Sequence, residues 1–152
     1  GDPAVVLLGA WAGDPETGAE RFRALREFAD PVADFSDTMP YAAFQQLLDE
    51  DYPEGRHYYW KSVALDELDD AAIELFSEVG EDAPSTLSTV DLWHLGGAIR
   101  DGDGAFPNRD AAYLLNVEAN WDDPRETDAN VRWVRDAVDA VRRLAIAASV
   151  TA

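Results

Sequence analysis

The sequence has no cysteine, one lysine, one methionine and two histidines in 152 residues. Without cysteine there is no disulfide, no thiolate nucleophile and no thiolate metal site. His57 and His94 are too few for a histidine-rich centre, and neither an HExxH nor a DxDxDG pattern occurs. No run of about eighteen apolar residues exists, so nothing in the sequence reads as a membrane-spanning helix. The opening GDPAVVLLGAWAGD is apolar, but it lacks a basic flank and runs straight into a helix start, so it reads as a strand and not as a signal peptide. The first residue is not methionine, which points to an excised piece of a longer chain.

What is abundant is acid. Thirty-one Asp and Glu against twelve Lys and Arg leave a net charge of -19. Such a surface repels nucleic acid and anionic membranes, so neither is an expected partner. The carboxylates are spread from Asp2 to Asp139 among apolar periodic segments, not gathered in a tail. Lys61 is the only lysine, and the other basic side chains are arginine. Dispersed acid with scarce lysine is the bias of salt-adapted proteomes, where high ionic strength screens the self-repulsion. The expectation is a cytoplasmic protein of a salt-adapted organism. An apolar fraction of 47% is enough for a real core.

Along the chain, Ala4–Trp11 reads as a buried strand. Asp14-Pro15-Glu16 then supplies a cap, a proline at the first helical position and an early acid. Phe22, Leu25, Phe28 and Ala29 form that helix's inward stripe, and Pro31 stops it. Val32–Met39 is a short strand, and Pro40 opens a short helix through Leu48. Residues 56–65, RHYYWKSVAL, are aromatic and β-branched and form a strand. Asp66 caps the next helix, with stripe Leu68, Ala71, Ala72, Leu75, Phe76 and Val79, and Gly80 closes it. A strand follows from Leu87 to Leu95. Residues 95–110, LGGAIRDGDGAFPNRD, form a glycine-punctuated turn region with a short strand at its start. Tyr113–Trp121 is a further strand. Asp123-Pro124 start a long final helix with Val131, Val134, Val138, Val141 and Ala145 inward. The order β-α-β-α-β-α-β-β-α predicts an α+β fold over residues 1–152 as a single domain. Its sheet is mostly antiparallel, with helices packed on one face.

The strand YLLNVEANW alternates strictly. Tyr113, Leu115, Val117, Ala119 and Trp121 fall on one face; Leu114, Asn116, Glu118 and Asn120 fall on the other. Glu118 is the best single candidate for chemistry, because a mid-strand carboxylate flanked by two amides can act as a general base where its face is covered. The solvated side of a sheet is the plainer explanation of the same pattern. In YYWKS the two faces are Tyr58/Trp60/Ser62 and Tyr59/Lys61/Val63, and either suits a core. A structural salt bridge is the expected use of Lys61. DGDG (101–104) lacks GxGxxG spacing and opens no helix, so it is not a phosphate loop.

Five segments, taken in order, resemble one family. MPYAAFQ (39–45), YYWKS (58–62), STVDLWHLGGAI (88–99), FPNRDAAYLLNVEANW (106–121) and WVRDAVDAV (133–141) are similar to the C-terminal substrate domain of berberine-bridge-enzyme-like FAD-linked oxidases. These flavoproteins belong to the vanillyl-alcohol-oxidase superfamily, with a PCMH-type flavin domain. The resemblance implies an FAD-dependent oxidoreductase acting on an alcohol or amine by hydride transfer to flavin. FAD would be bound mainly by a flavin-binding domain of the same parent protein, absent from this chain, so the fragment alone would be inactive. It implies Glu118 as the catalytic base, with Asn116, Asn120, Tyr59 and Lys61 as substrate contacts. Asn108 stands where the family often has histidine before Arg109. A different class remains as the alternative: a stand-alone ferredoxin-like module that dimerises through its open sheet face, with a binding or structural role.

Overall fold

In a computed structural model the chain divides into two units, Ala4–Pro53 and Glu54 onward. The structure describes residues 4–151, with side chains as far as Leu144.

The Ala4–Pro53 unit contains helix α1, Pro15–Arg26, and the four-residue helix α2, Tyr41–Phe44, followed by a 3₁₀ turn at Asp49–Asp51. Asp14 caps α1 as expected: its Oδ2 accepts from the Thr17 backbone N–H and the Thr17 hydroxyl, each at 2.9 Å. The indole of Trp11 packs over the buried Gly18, where an added Cβ would lie 2.8 Å from Trp11 Cδ1. The Arg21 guanidinium stands 5.9 Å from the Trp11 ring centroid. Two expected strands are not formed, because neither Ala4–Trp11 nor Val32–Met39 joins a ladder. A consecutive apolar run marks a strand buried between neighbours, and this unit provides no neighbour to hydrogen-bond to. The stripe read for α1 also fails. The helix ends at Arg26, and Leu25 and Phe28 are exposed.

The second unit is built on β1 (His57–Leu65), α3 (Asp70–Glu81), β2 (Thr89–His94), α4 (Ala98–Asp101), β3 (Tyr113–Trp121) and α5 (Thr127–Thr151). The three strands form an antiparallel sheet in the order β1-β3-β2. The fold is α+β, with an antiparallel sheet and helices on one face. With the one-turn α4 set aside, its β-α-β-β-α path with a central third strand is the split arrangement of ferredoxin-like sheets.

Local signals explain most of the elements. β1 is rich in aromatic and β-branched residues. The capping residue of α3 is Asp69, not Asp66; its Oδ1 accepts from Ala72 N at 2.8 Å. Both residues carry a competent side chain, and the one three residues ahead of a free N–H wins. Gly80 lies inside the last turn, and the helix runs one residue further. Asp123 and Pro124 begin a 3₁₀ turn, and α5 proper starts at Thr127. The short strand read after Leu95 is instead the one-turn helix α4.

The core lies between the sheet and α3 and α5. Leu115, Val117, Ala119 and Trp121 of β3 are buried against Val134, Ala137, Val138 and Val141 of α5. Leu75, Phe76 and Val79 of α3 close its flank. Trp133 Nε1 donates to the Val79 carbonyl at 3.0 Å and so joins the two helices. The expected inward position Ala145 lies outside the described side chains.

Candidate functional site

Pairing register decides which side chains share a face. In β1 and β3 the partners are Tyr58–Asn120, Trp60–Glu118, Ser62–Asn116 and Ala64–Leu114. In β2 and β3 they are Thr89–Glu118, Asp91–Asn116 and Trp93–Leu114. Directly opposed residues in antiparallel strands point to the same side. The face away from the helix layer therefore carries Tyr58, Trp60 and Ser62, then Asn116, Glu118 and Asn120, then Thr89, Asp91 and Trp93.

Its polar residues form a chain of bonds. Ser62 Oγ donates to Asn116 Oδ1 at 3.1 Å, and Asn116 Nδ2 donates to Glu118 Oε2 at 3.3 Å. Glu118 stands between Trp60 and Thr89 and is only 9% exposed. It is not the fully solvated strand carboxylate of the plainer explanation. Asn120 is 3% exposed: its Nδ2 donates to the Leu87 carbonyl at 3.1 Å, and its backbone N–H donates to Ser88 Oγ at 3.2 Å. Its Oδ1 is buried with no partner among the described residues. Trp60 and Trp93, each 59% exposed, rise from the two edge strands.

Three of the five residues named from the sequence, Asn116, Glu118 and Asn120, thus lie in one row, and Asn116 and Glu118 touch. Tyr59 and Lys61 do not join them. In register Tyr59 opposes Ala119 and Lys61 opposes Val117, so both point to the helix side. The Tyr59 hydroxyl accepts from Arg135 Nε at 3.2 Å, and the Arg135 guanidinium lies 5.6 Å from the Tyr59 ring centroid. Tyr59 ties the sheet to α5 and is no part of the Glu118 row. Lys61 is half-buried on the same side and forms no ion pair among the described residues, so its expected salt bridge is absent there. The residues that replace these two beside Glu118 are Trp60, Ser62, Thr89 and Asp91. Alternation had already grouped Tyr58, Trp60 and Ser62; only the strand pairing says that theirs is Glu118's face.

The glycine-rich segment has a structural explanation. Gly97 has φ +48°, a left-handed conformation that a side chain disfavours. Beyond it Arg109 gathers the loop, with Nη1 donating to the Ile99 carbonyl at 2.5 Å and Nε to the Gly104 carbonyl at 3.1 Å. An added Cβ at Gly102 would lie 2.6 Å from Arg109 Nη1 and 3.1 Å from the Ala98 carbonyl oxygen. Gly102 and Gly104 of DGDG make room for a guanidinium.

No family model matches the chain, and no curated protein matches it. The site must therefore be read from its own chemistry. Among the described residues no three Asp, Glu or His side chains gather to hold a metal ion. No helix among them is long and apolar enough to cross a membrane. For a flavin the donor set is divided. The exposed indoles of Trp60 and Trp93 suit a planar ring, and Glu118 with Asn116 suits a substrate lying against one. Among the described strand residues this face carries no lysine or arginine that would hold a pyrophosphate.

Proposed function

We propose that this chain is the substrate-side part of an FAD-dependent oxidoreductase, with the face around Glu118 as the substrate wall. The observation that supports this most is the burial of Glu118 on the sheet face away from α3 and α5, hydrogen-bonded through Asn116 to Ser62 and bordered by an exposed indole. A carboxylate serving only solubility would stand in water. The five segments that resemble berberine-bridge-enzyme-like oxidases include the strands that carry this row.

When bound, the flavin supplies a hydride acceptor for oxidation of an alcohol or an amine. The chain's own residues orient the substrate and take a proton. Asn116 fixes one Glu118 oxygen and is itself fixed by the Ser62 hydroxyl, which leaves the second oxygen for the substrate proton. Trp60, directly opposite Glu118 in register, borders the same position. A parent protein would hold FAD by a separate flavin-binding domain.

The test is made in that parent. Glu118→Gln should slow flavin reduction by about two orders of magnitude or more, the scale of a lost general base. Unchanged reduction kinetics would remove Glu118 from the reaction, and a colourless parent would remove the flavin.

The split β-α-β topology supports a second reading, a ferredoxin-like module pairing through its open sheet face. Sedimentation decides between them. A dimer that Trp60→Glu and Trp93→Glu separate, in a protein with no flavin domain, would favour the module.

A further inference from the structure

We propose that the face around Glu118 recognises an organic ammonium, a protonated primary or secondary amine, in preference to a neutral alcohol. This rests on reading that face as the substrate wall and narrows what the wall accepts. Along the row Ser62 Oγ donates to Asn116, Asn116 Nδ2 to Glu118, and Asn120 Nδ2 to the Leu87 carbonyl. Acceptor capacity is left over beside them. Among the described residues Asn120 Oδ1 is buried without a donor, and Glu118 receives one bond, at 3.3 Å.

Charge points the same way. Glu118 and Asp91 share the face, and among the described residues neither belongs to an ion pair. Of the cations on the sheet and its helices, Lys61 and Arg135 are on the opposite side, where Arg135 is held by Tyr59, and Arg56, just before β1, is paired with Asp122. A carboxylate 9% exposed with one neutral donor is under-compensated, and a bound cation supplies what it lacks. Trp60, paired with Glu118 across the strands, offers the π face that a cation favours. The absence of a converging metal-ligand set among the described residues favours an organic cation over a metal ion. The ammonium would sit between the Glu118 carboxylate and the Trp60 ring, with its carbon substituents along the sheet.

The experiment titrates this chain with benzylammonium chloride and with its neutral isostere benzyl alcohol, by calorimetry in fixed, high potassium chloride. Benzylammonium should bind tighter by about tenfold or more, the scale of one charge-assisted contact. Glu118→Gln and Trp60→Leu should each remove most of that preference, while Glu67→Gln, at an exposed position, should leave it unchanged. Circular dichroism of each variant checks folding, and Trp60→Leu alters an exposed side chain should Glu118→Gln not fold. Equal affinity for the two probes overturns the proposal. So does binding of neither, or a loss on Glu67→Gln equal to that on Glu118→Gln. A chain that selects benzylammonium while its parent is colourless removes the flavin and keeps the ammonium site. A yellow parent with no probe preference does the reverse.

Discussion

The two faces of β3 can be told apart by truncating adjacent leucines. Leu115 is 1% exposed and packs in the core with α5, whereas Leu114 is half-buried on the other side, between Ala64 and Trp93. Leu115→Ala removes three buried carbons, about 2.4 kcal/mol at roughly 0.8 kcal/mol each. A cavity against the close-packed valines of α5 raises this to about 3–4 kcal/mol. Leu114→Ala loses fewer contacts and leaves no sealed void, so about 1 kcal/mol is expected. The assay is urea unfolding in constant potassium chloride, followed by circular dichroism. With a denaturant slope of about 2 kcal/mol per molar, Leu115→Ala should lower the midpoint by roughly 1.5–2 M and Leu114→Ala by roughly 0.5 M. A one-residue slip in register would exchange the two faces. Equal shifts, or a larger one at Leu114, would refute the assignment of Glu118 to the open face.

Salt should stabilise the fold, because a net charge of -19 repels itself and a Debye length of about 10 Å at 0.1 M shrinks to about 3 Å at 1 M. A urea midpoint that falls as potassium chloride rises would contradict this. The Asp14 carboxyl is held below its ordinary value of 3.8 first by the Thr17 backbone N–H and then by the Thr17 hydroxyl. A depressed carboxyl contributes stability that is present above 3.8 and lost as pH falls through the lower folded value, so the Thr17 amide resonance should change only in that acid range and not in Asp14→Ala. Gly97→Ala should cost about 1 kcal/mol from its left-handed backbone, read as a lower urea midpoint; no change would mean that the turn relaxes freely.

Period and punctuation made much of the second unit legible. Tyr113–Trp121 alternates so strictly that its span and its helix-facing set are readable directly, although Glu118 and Asn120 of the other face are buried as well. The aromatic run His57–Leu65 and the apolar stripe of α3 are equally plain, because side-chain direction within one element is set by local geometry alone. Boundaries were less secure. Asp66 and Asp69 both look like caps, and only the helix that forms chooses between them. Ala4–Trp11 and Val32–Met39 show the limit of propensity: a strand exists only where another strand meets its N–H and C=O groups, and neither segment's residues contain that partner.

The candidate site divides along the same line. The sequence by itself determined that Asn116, Glu118 and Asn120 share a row, since that follows from a two-residue repeat within one strand. It also determined the charge excess and the absence of cysteine chemistry. It could not determine which half of YYWKS stands beside Glu118. That choice depends on how β1 is aligned against β3, a contact between residues 58 apart at the Trp60–Glu118 pair. Pairing placed Trp60 and Ser62 beside Glu118 and sent Tyr59 and Lys61 to the helix side. The physical reason is that the pleat fixes faces within a strand, while hydrogen-bond register between strands fixes which faces coincide.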